Sequence, residues 1–239
     1  MNRLRTLTSM AMHEMWISFR MILVVAVPVV GGIGAILLPE DFSGVTALGG
    51  AGFWFAVAAC AAIGIASGVA ALTMAHERRR GTVAWMAVRA VPRSVVLMSW
   101  FAALGILLVG GIALGSVGPW LAALERAETQ PDLLPFAAAV ASTATAGLAC
   151  IAGGLLLGTF LRVLPATLIA LALAVPILVA SIVLPTGGQV LPTGGIALLA
   201  HLDSASRPLG QALQSGGAAL AVAAVLLVLA SAGLERANL

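Results

Sequence analysis

Residues 51–75, AGFWFAVAACAAIGIASGVAALTMA, run without a single charge, and residues 76–82, HERRRGT, follow at once. A helix rising about 1.5 Å per residue needs roughly 20 apolar residues to cross about 30 Å of hydrocarbon. The first stretch therefore reads as a membrane-spanning helix and the second as the polar turn where it leaves the bilayer. The rest of the 239-residue chain has the same character, since 61% of its residues are hydrophobic, only 9% are charged and its mean hydropathy is +1.11. A soluble domain does not tolerate that balance. A transmembrane barrel would show segments of about ten residues alternating in polarity, and no such alternation is visible.

The chain is thus expected to be an all-α integral membrane protein forming one transmembrane domain over 1–239. Hydropathy places six spans at about 21–38, 51–75, 95–120, 134–160, 163–184 and 216–234. Six crossings put both termini on one side. That side then carries Arg3, Arg5, Arg20, Arg78, Arg79, Arg80, Arg89, Arg93, Arg162 and Arg236, ten of the twelve basic residues. The other side keeps Arg126 and Arg207 but takes Glu40, Asp41, Glu125, Glu128, Asp132 and Asp203, six of the nine acids. Arginine near span ends is retained in the cytoplasm, so the expected location is the cell inner (plasma) membrane with both termini cytoplasmic. Orientation accounts for the basic residues, and no nucleic acid is expected as a partner.

Within 1–20, Leu4, Leu7, Ala11, Met15 and Phe19 recur at spacings of three and four with Arg3, Ser9, His13 and Arg20 around them. This predicts an amphipathic helix along the cytoplasmic face. A secretory signal peptide is the competing reading, given the small residues Gly31, Gly32, Gly34 and Ala35; the long polar lead speaks against it. Cys60 and Cys150 fall inside spans and read as small packing residues. The pairs Gly64/Gly68, Gly111/Gly115 and Gly154/Gly158 are small-xxx-small patterns that let helix backbones approach closely.

Ionisable groups deep in a bilayer usually mark ion paths or catalysis. All nine acids and all three histidines of this chain lie in predicted loops or at span ends. That weighs against a proton-coupled carrier and an intramembrane hydrolase. His76-Glu77 is not followed by a second histidine four residues after the first, so the zinc metalloprotease helix pattern fails. There is no lysine, hence no Gly-Lys-Ser/Thr phosphate loop. The chain is not expected to be an enzyme, and any energised transport would draw on a gradient or another polypeptide. Sodium coupling stays open, because carbonyls of broken helices bind that ion.

Residues 77–86, ERRRGTVAWM, closed by Arg93, Ser94, Val95, Val96 and Leu97, resemble the segment after the second span in permease subunits of type-2 ABC exporters. The resemblance in organisation extends to the amphipathic helix before span one, six spans, a long stretch before the last span and the short tail at 234–239. The family often has a proline near Ala90 and a lysine near Trp100, and neither is kept. The resemblance implies that 76–94 is a cytoplasmic coupling segment of short helices docking on a separate ABC ATPase. Gly81 would break the helix, Thr82 would cap the next one, and Val83, Trp85 and Met86 would form the docking surface. Glu77 would pair with arginine of its own loop or of the N-terminal helix, and Arg78 and Arg93 belong to the same motif. The competing reading is a solvated loop whose arginines orient the chain and meet anionic lipid.

The resemblance further implies two ATPase copies that hold ATP and magnesium, no cofactor in this chain, and a second permease copy, as a homodimer or with a close paralogue. The implied cargo is an amphipathic small molecule, drug, peptide or lipid leaving the cytoplasm or inner leaflet. A haem-export membrane subunit of cytochrome c maturation, a sodium-coupled carrier and a scaffold that only recruits a partner are the alternatives. The extracytoplasmic segment 185–215 contains Leu-Pro-Thr-Gly-Gly at 184–188 and again at 191–195, which breaks regular helix. The apolar piece 196–202 is too short to span and is expected to dip into the outer leaflet or cap the exit. Pro176 is expected to kink span five.

Overall fold

The computed structural model describes residues 2–37, 47–81, 91–126, 132–183, 192–202 and 207–236. Among the described residues the chain is helical, with no strand. The helices are α1 (Asn2–Ile17), α2 (Arg20–Leu37), α3 (Ala47–Arg80), α4 (Arg93–Gly115), α5 (Val117–Arg126), α6 (Leu133–Phe160), α7 (Val163–Val183), the short α8 (Gly194–Ala200) and α9 (Pro208–Arg236). Four of them, α3, α6, α7 and α9, together with the continuous stretch α4–α5, are each long and apolar enough to cross a membrane. The chain is a multi-pass helical membrane protein. The pair α1 and α2 passes the same test only jointly and is bent by 72°. Phe19 makes that bend with a φ of 58°, a left-handed conformation that is rare for an aromatic residue.

Hydropathy alone ends the second span near residue 75, yet α3 continues to Arg80. Glu and Arg are good helix formers, and three arginines in the last turn oppose the negative end of the helix dipole. With 34 residues, α3 is roughly 51 Å long, well over the about 30 Å of hydrocarbon. The last helix likewise starts at Pro208, earlier than the apolar run at 216. Proline suits a first helical position, and the Ser215 hydroxyl donates back to the Gln211 carbonyl at 2.9 Å.

Helices α3 and α6 form the centre, and α7 and α9 form the rim. The buried share falls from 72% for α3 to 33% for α7 and 22% for α9. Small residues face inward on the rim: Ala166, Ala170 and Ala174 on α7, and Ala212, Ala219, Ala223 and Ala230 on α9, are buried. Leu164, Leu168, Leu173, Leu213, Leu220 and Val228 face out. Lipid tails are as apolar as leucine, so burying large side chains gains little and close backbone contact gains more.

The glycine patterns are spent on contacts of that kind within the chain. A Cβ on Gly154 would collide with the Ser67 carbonyl oxygen of α3, and one on Gly158 would lie 2.7 Å from that of Ala71. Gly111 and Gly115 meet Val25 and Pro28 of α2, while Gly64 and Gly68 receive Val175 and Leu171 of α7. Cys60 and Cys150 are free thiols, and Cys60 is buried. Pro176 is exposed on the rim, within the continuous helix α7.

Candidate functional site

Two ends of the bundle differ in chemistry. At one end α3, α6 and α9 finish and α4 and α7 begin. Helix α3 is stopped by Gly81, whose φ of 72° is a conformation only glycine adopts freely. Its N–H donates to the Arg78 carbonyl at 3.2 Å, closing the last turn. Glu77 is buried at 5% exposure, whereas Arg79 and Arg80 point to solvent.

Arg78 Nη1 donates to the Gly158 carbonyl at 3.2 Å, at the end of α6. Across the loop, Arg93 opens α4 and its Nη1 donates to the Leu234 carbonyl at 2.6 Å, at the end of α9. The last carbonyls of a helix have no intrahelical partner, and a cation there also meets the negative end of the dipole. Each guanidinium thus fastens one flank of segment 82–90 to the end of a different spanning helix. A hydrogen bond to a charged group contributes about 1.5–3 kcal/mol.

The N-terminal helices are joined to the same end. Arg20 Nη1 donates to Thr73 Oγ1 at 3.2 Å, and Arg80 approaches Glu14 at 3.9 Å with both side chains about half exposed. Such an exposed pair adds little stability. Helix α1 buries Ala11 and Met15, half-buries Leu7 and leaves Leu4 exposed, as is Phe19 in the bend that follows; its main packing partner is α4.

Of the residues singled out in the sequence, Glu77, Arg78, Gly81 and Arg93 are brought to this end together. Thr82, Val83, Trp85, Met86 and Arg89 lie outside the described residues. The reading of the loop missed Glu14, Arg20 and Thr73, and it missed the acceptors at Gly158 and Leu234. Those acceptors are backbone atoms, for which side-chain identity gives no signal. Among the described residues no group of three or more His, Cys, Asp or Glu is placed to hold a metal ion.

At the opposite end, α8 is wedged among α3, α6, α7 and α9. Every residue from Gly194 to Ala200 is buried. A Cβ on Gly195 would lie 2.5 Å from the Ser142 carbonyl carbon and 2.6 Å from the Thr143 nitrogen, and one on Gly52 would lie 2.6 Å from the Leu199 carbonyl oxygen. Hydroxyls around the wedge are paired: Ser181 donates to Thr193, and Ser142 and Ser215 share a hydrogen bond of 2.6 Å. His201 Nε2 lies 2.8 Å from the Ile182 carbonyl, to which it donates in the corresponding tautomer.

The chain matches no protein-family model, no curated protein and no solved structure.

Proposed function

We propose that the chain is the membrane-spanning permease subunit of an ATP-driven exporter, paired with a second permease copy and with two ATPase subunits that carry ATP and magnesium. The observation that carries the reading is the double fastening at the basic end. Segment 82–90 is covalently continuous with the ends of α3 and α4, and Arg78 and Arg93 tie its flanks to α6 and α9. A partner that displaces this segment therefore acts on four spanning segments at once. A loop that only oriented the chain would have no need of such ties.

In this reading α2 is the first of six crossings, and α1 lies along the cytoplasmic face. The 72° bend supports that placement, as do the exposed Met10, Trp16, Ile17 and Phe19. Ten of twelve arginines then lie on the cytoplasmic side of the plasma membrane, with both termini. The cargo would be amphipathic. An apolar cleft of about 360 Å³ between α4–α5 and α6 offers such a molecule a surface, with the Trp120 and Phe136 ring centroids 5.6 Å apart in its wall.

The test is a mild-detergent pull-down of the tagged chain from its native membrane, with mass spectrometry and an ATPase assay on the eluate. The expected result is a nucleotide-binding subunit that co-purifies and is lost when 82–90 is replaced by a Gly/Ser linker in a chain that still folds. A homo-oligomer without ATPase activity would sink the proposal and favour an ion-coupled carrier or a scaffold.

A further inference from the structure

A second feature of the basic end is independent of any transport reading. Between the end of α3 and the α6–α7 turn lies an open cleft of about 910 Å³, lined by Arg78, Arg79, Arg162, Phe160, Val163 and Leu164 among others. Every charged residue lining it is an arginine. Arg78 spends Nη1 on the Gly158 carbonyl, but its buried Nε–H has no acceptor among the described residues. Burying a donor of a charged group without a partner is costly, so a missing acceptor is the simplest account of it.

The backbone adds to the same field. Helix α7 begins at Val163 with no acidic residue in its first turn; Pro165 has no N–H and Ala166 donates to the Arg162 carbonyl, which leaves the N–H groups of Val163 and Leu164 without an intrahelical acceptor. A helix N-terminus carries partial positive charge and favours anions. Three arginines, one of them with an unmatched N–H, and a helix start therefore line one cleft.

We propose that this cleft holds the phosphate of an anionic membrane phospholipid, whose acyl chains run down the outer flank of α7. Two observations select a lipid over a soluble anion. The cleft lies where two membrane-spanning helices, α6 and α7, end and begin, which is headgroup depth. Its wall is also largely apolar, with Phe160 60% and Leu164 70% exposed, and Leu168 continues the apolar flank one turn further along α7 at 56%. Arginine meets phosphate through paired, charge-assisted hydrogen bonds, and basic pockets between spanning helices on the cytoplasmic side suit lipid headgroups.

The experiment is native mass spectrometry of the full chain in mild detergent, titrated with mixed micelles containing phosphatidylglycerol or phosphatidylcholine. One phosphatidylglycerol per chain should be retained at concentrations where phosphatidylcholine is not. Replacing Arg79→Gln together with Arg162→Gln should weaken retention by about tenfold or more. Replacing the exposed Arg5→Gln together with Arg236→Gln removes the same charge and should leave it unchanged. Equal loss in both pairs, or equal retention of both lipids, would overturn the proposal, and displacement by excess inorganic phosphate would assign the cleft to a soluble anion instead. Should the first pair fail to fold, a phosphatidylglycerol with a photoreactive acyl chain decides the matter on the wild-type chain. Labelling within 160–168 supports the site, and labelling only elsewhere removes it.

Discussion

The two ends of this bundle are closed by different means. At the basic end the helix termini are held by long arginine side chains reaching backbone carbonyls 80 and 141 residues away in sequence. At the other end a seven-residue helix is buried on every residue and meets its neighbours backbone to backbone. A guanidinium on a flexible stem can follow its acceptor through small movements. A glycine against a carbonyl cannot, because interiors at van der Waals contact have no slack. On the exporter proposal, the first is the end that moves and the second the end that stays shut.

The strongest way to break the sealed end is Gly195→Ala. The added methyl meets main-chain atoms of Ser142 and Thr143 that cannot swing aside, so a loss of about 3 kcal/mol is expected, read as a lower melting temperature in detergent. A variant as stable as wild type would show that α8 is not tightly wedged. At the basic end, Glu77→Gln keeps the shape of a buried side chain while removing its charge. On the exporter proposal it should insert normally yet uncouple transport from ATP turnover, and unchanged transport at normal expression would end that role.

Arg93→Ala leaves the Leu234 carbonyl without its donor and should cost about 1–3 kcal/mol. Arg93→Lys should recover part of this, and equal melting temperatures for all three proteins would dissolve the fastening. Gly81→Ala meets no steric obstacle, but its φ of 72° should cost about 1 kcal/mol. The smallest effect is expected for Glu14→Gln, within about 0.5 kcal/mol, because its pair with Arg80 is half exposed.

Much of the fold was legible because lipid selects composition so strongly. The uncharged run at 51–75 announces a spanning helix, and Gly81 after three arginines announces where it stops. Other features depend on distant parts of the chain. The bend at Phe19 has no local signal, since nothing about phenylalanine favours a positive φ. Residues 196–202 read as an apolar piece too short to span, which says nothing of what packs around it. The burial of α8 depends on Gly52 of α3 meeting Leu199 and on Ser142 of α6 meeting Gly195. The site was half legible for the same reason: Glu77, Arg78, Gly81 and Arg93 stand out as residue types, while what Arg78 and Arg93 hold is backbone chosen by the packing of α6 and α9.

The most direct measurement is hydrogen–deuterium exchange of the purified chain in detergent, comparing wild type with the Arg78→Ala and Arg93→Ala double variant. The account predicts that amides of 194–200 stay protected in both proteins, while those near 156–160 and 232–236 exchange faster in the variant. Equal exchange at the two ends of the wild-type bundle, or loosening of 194–200 by the arginine changes, would contradict it.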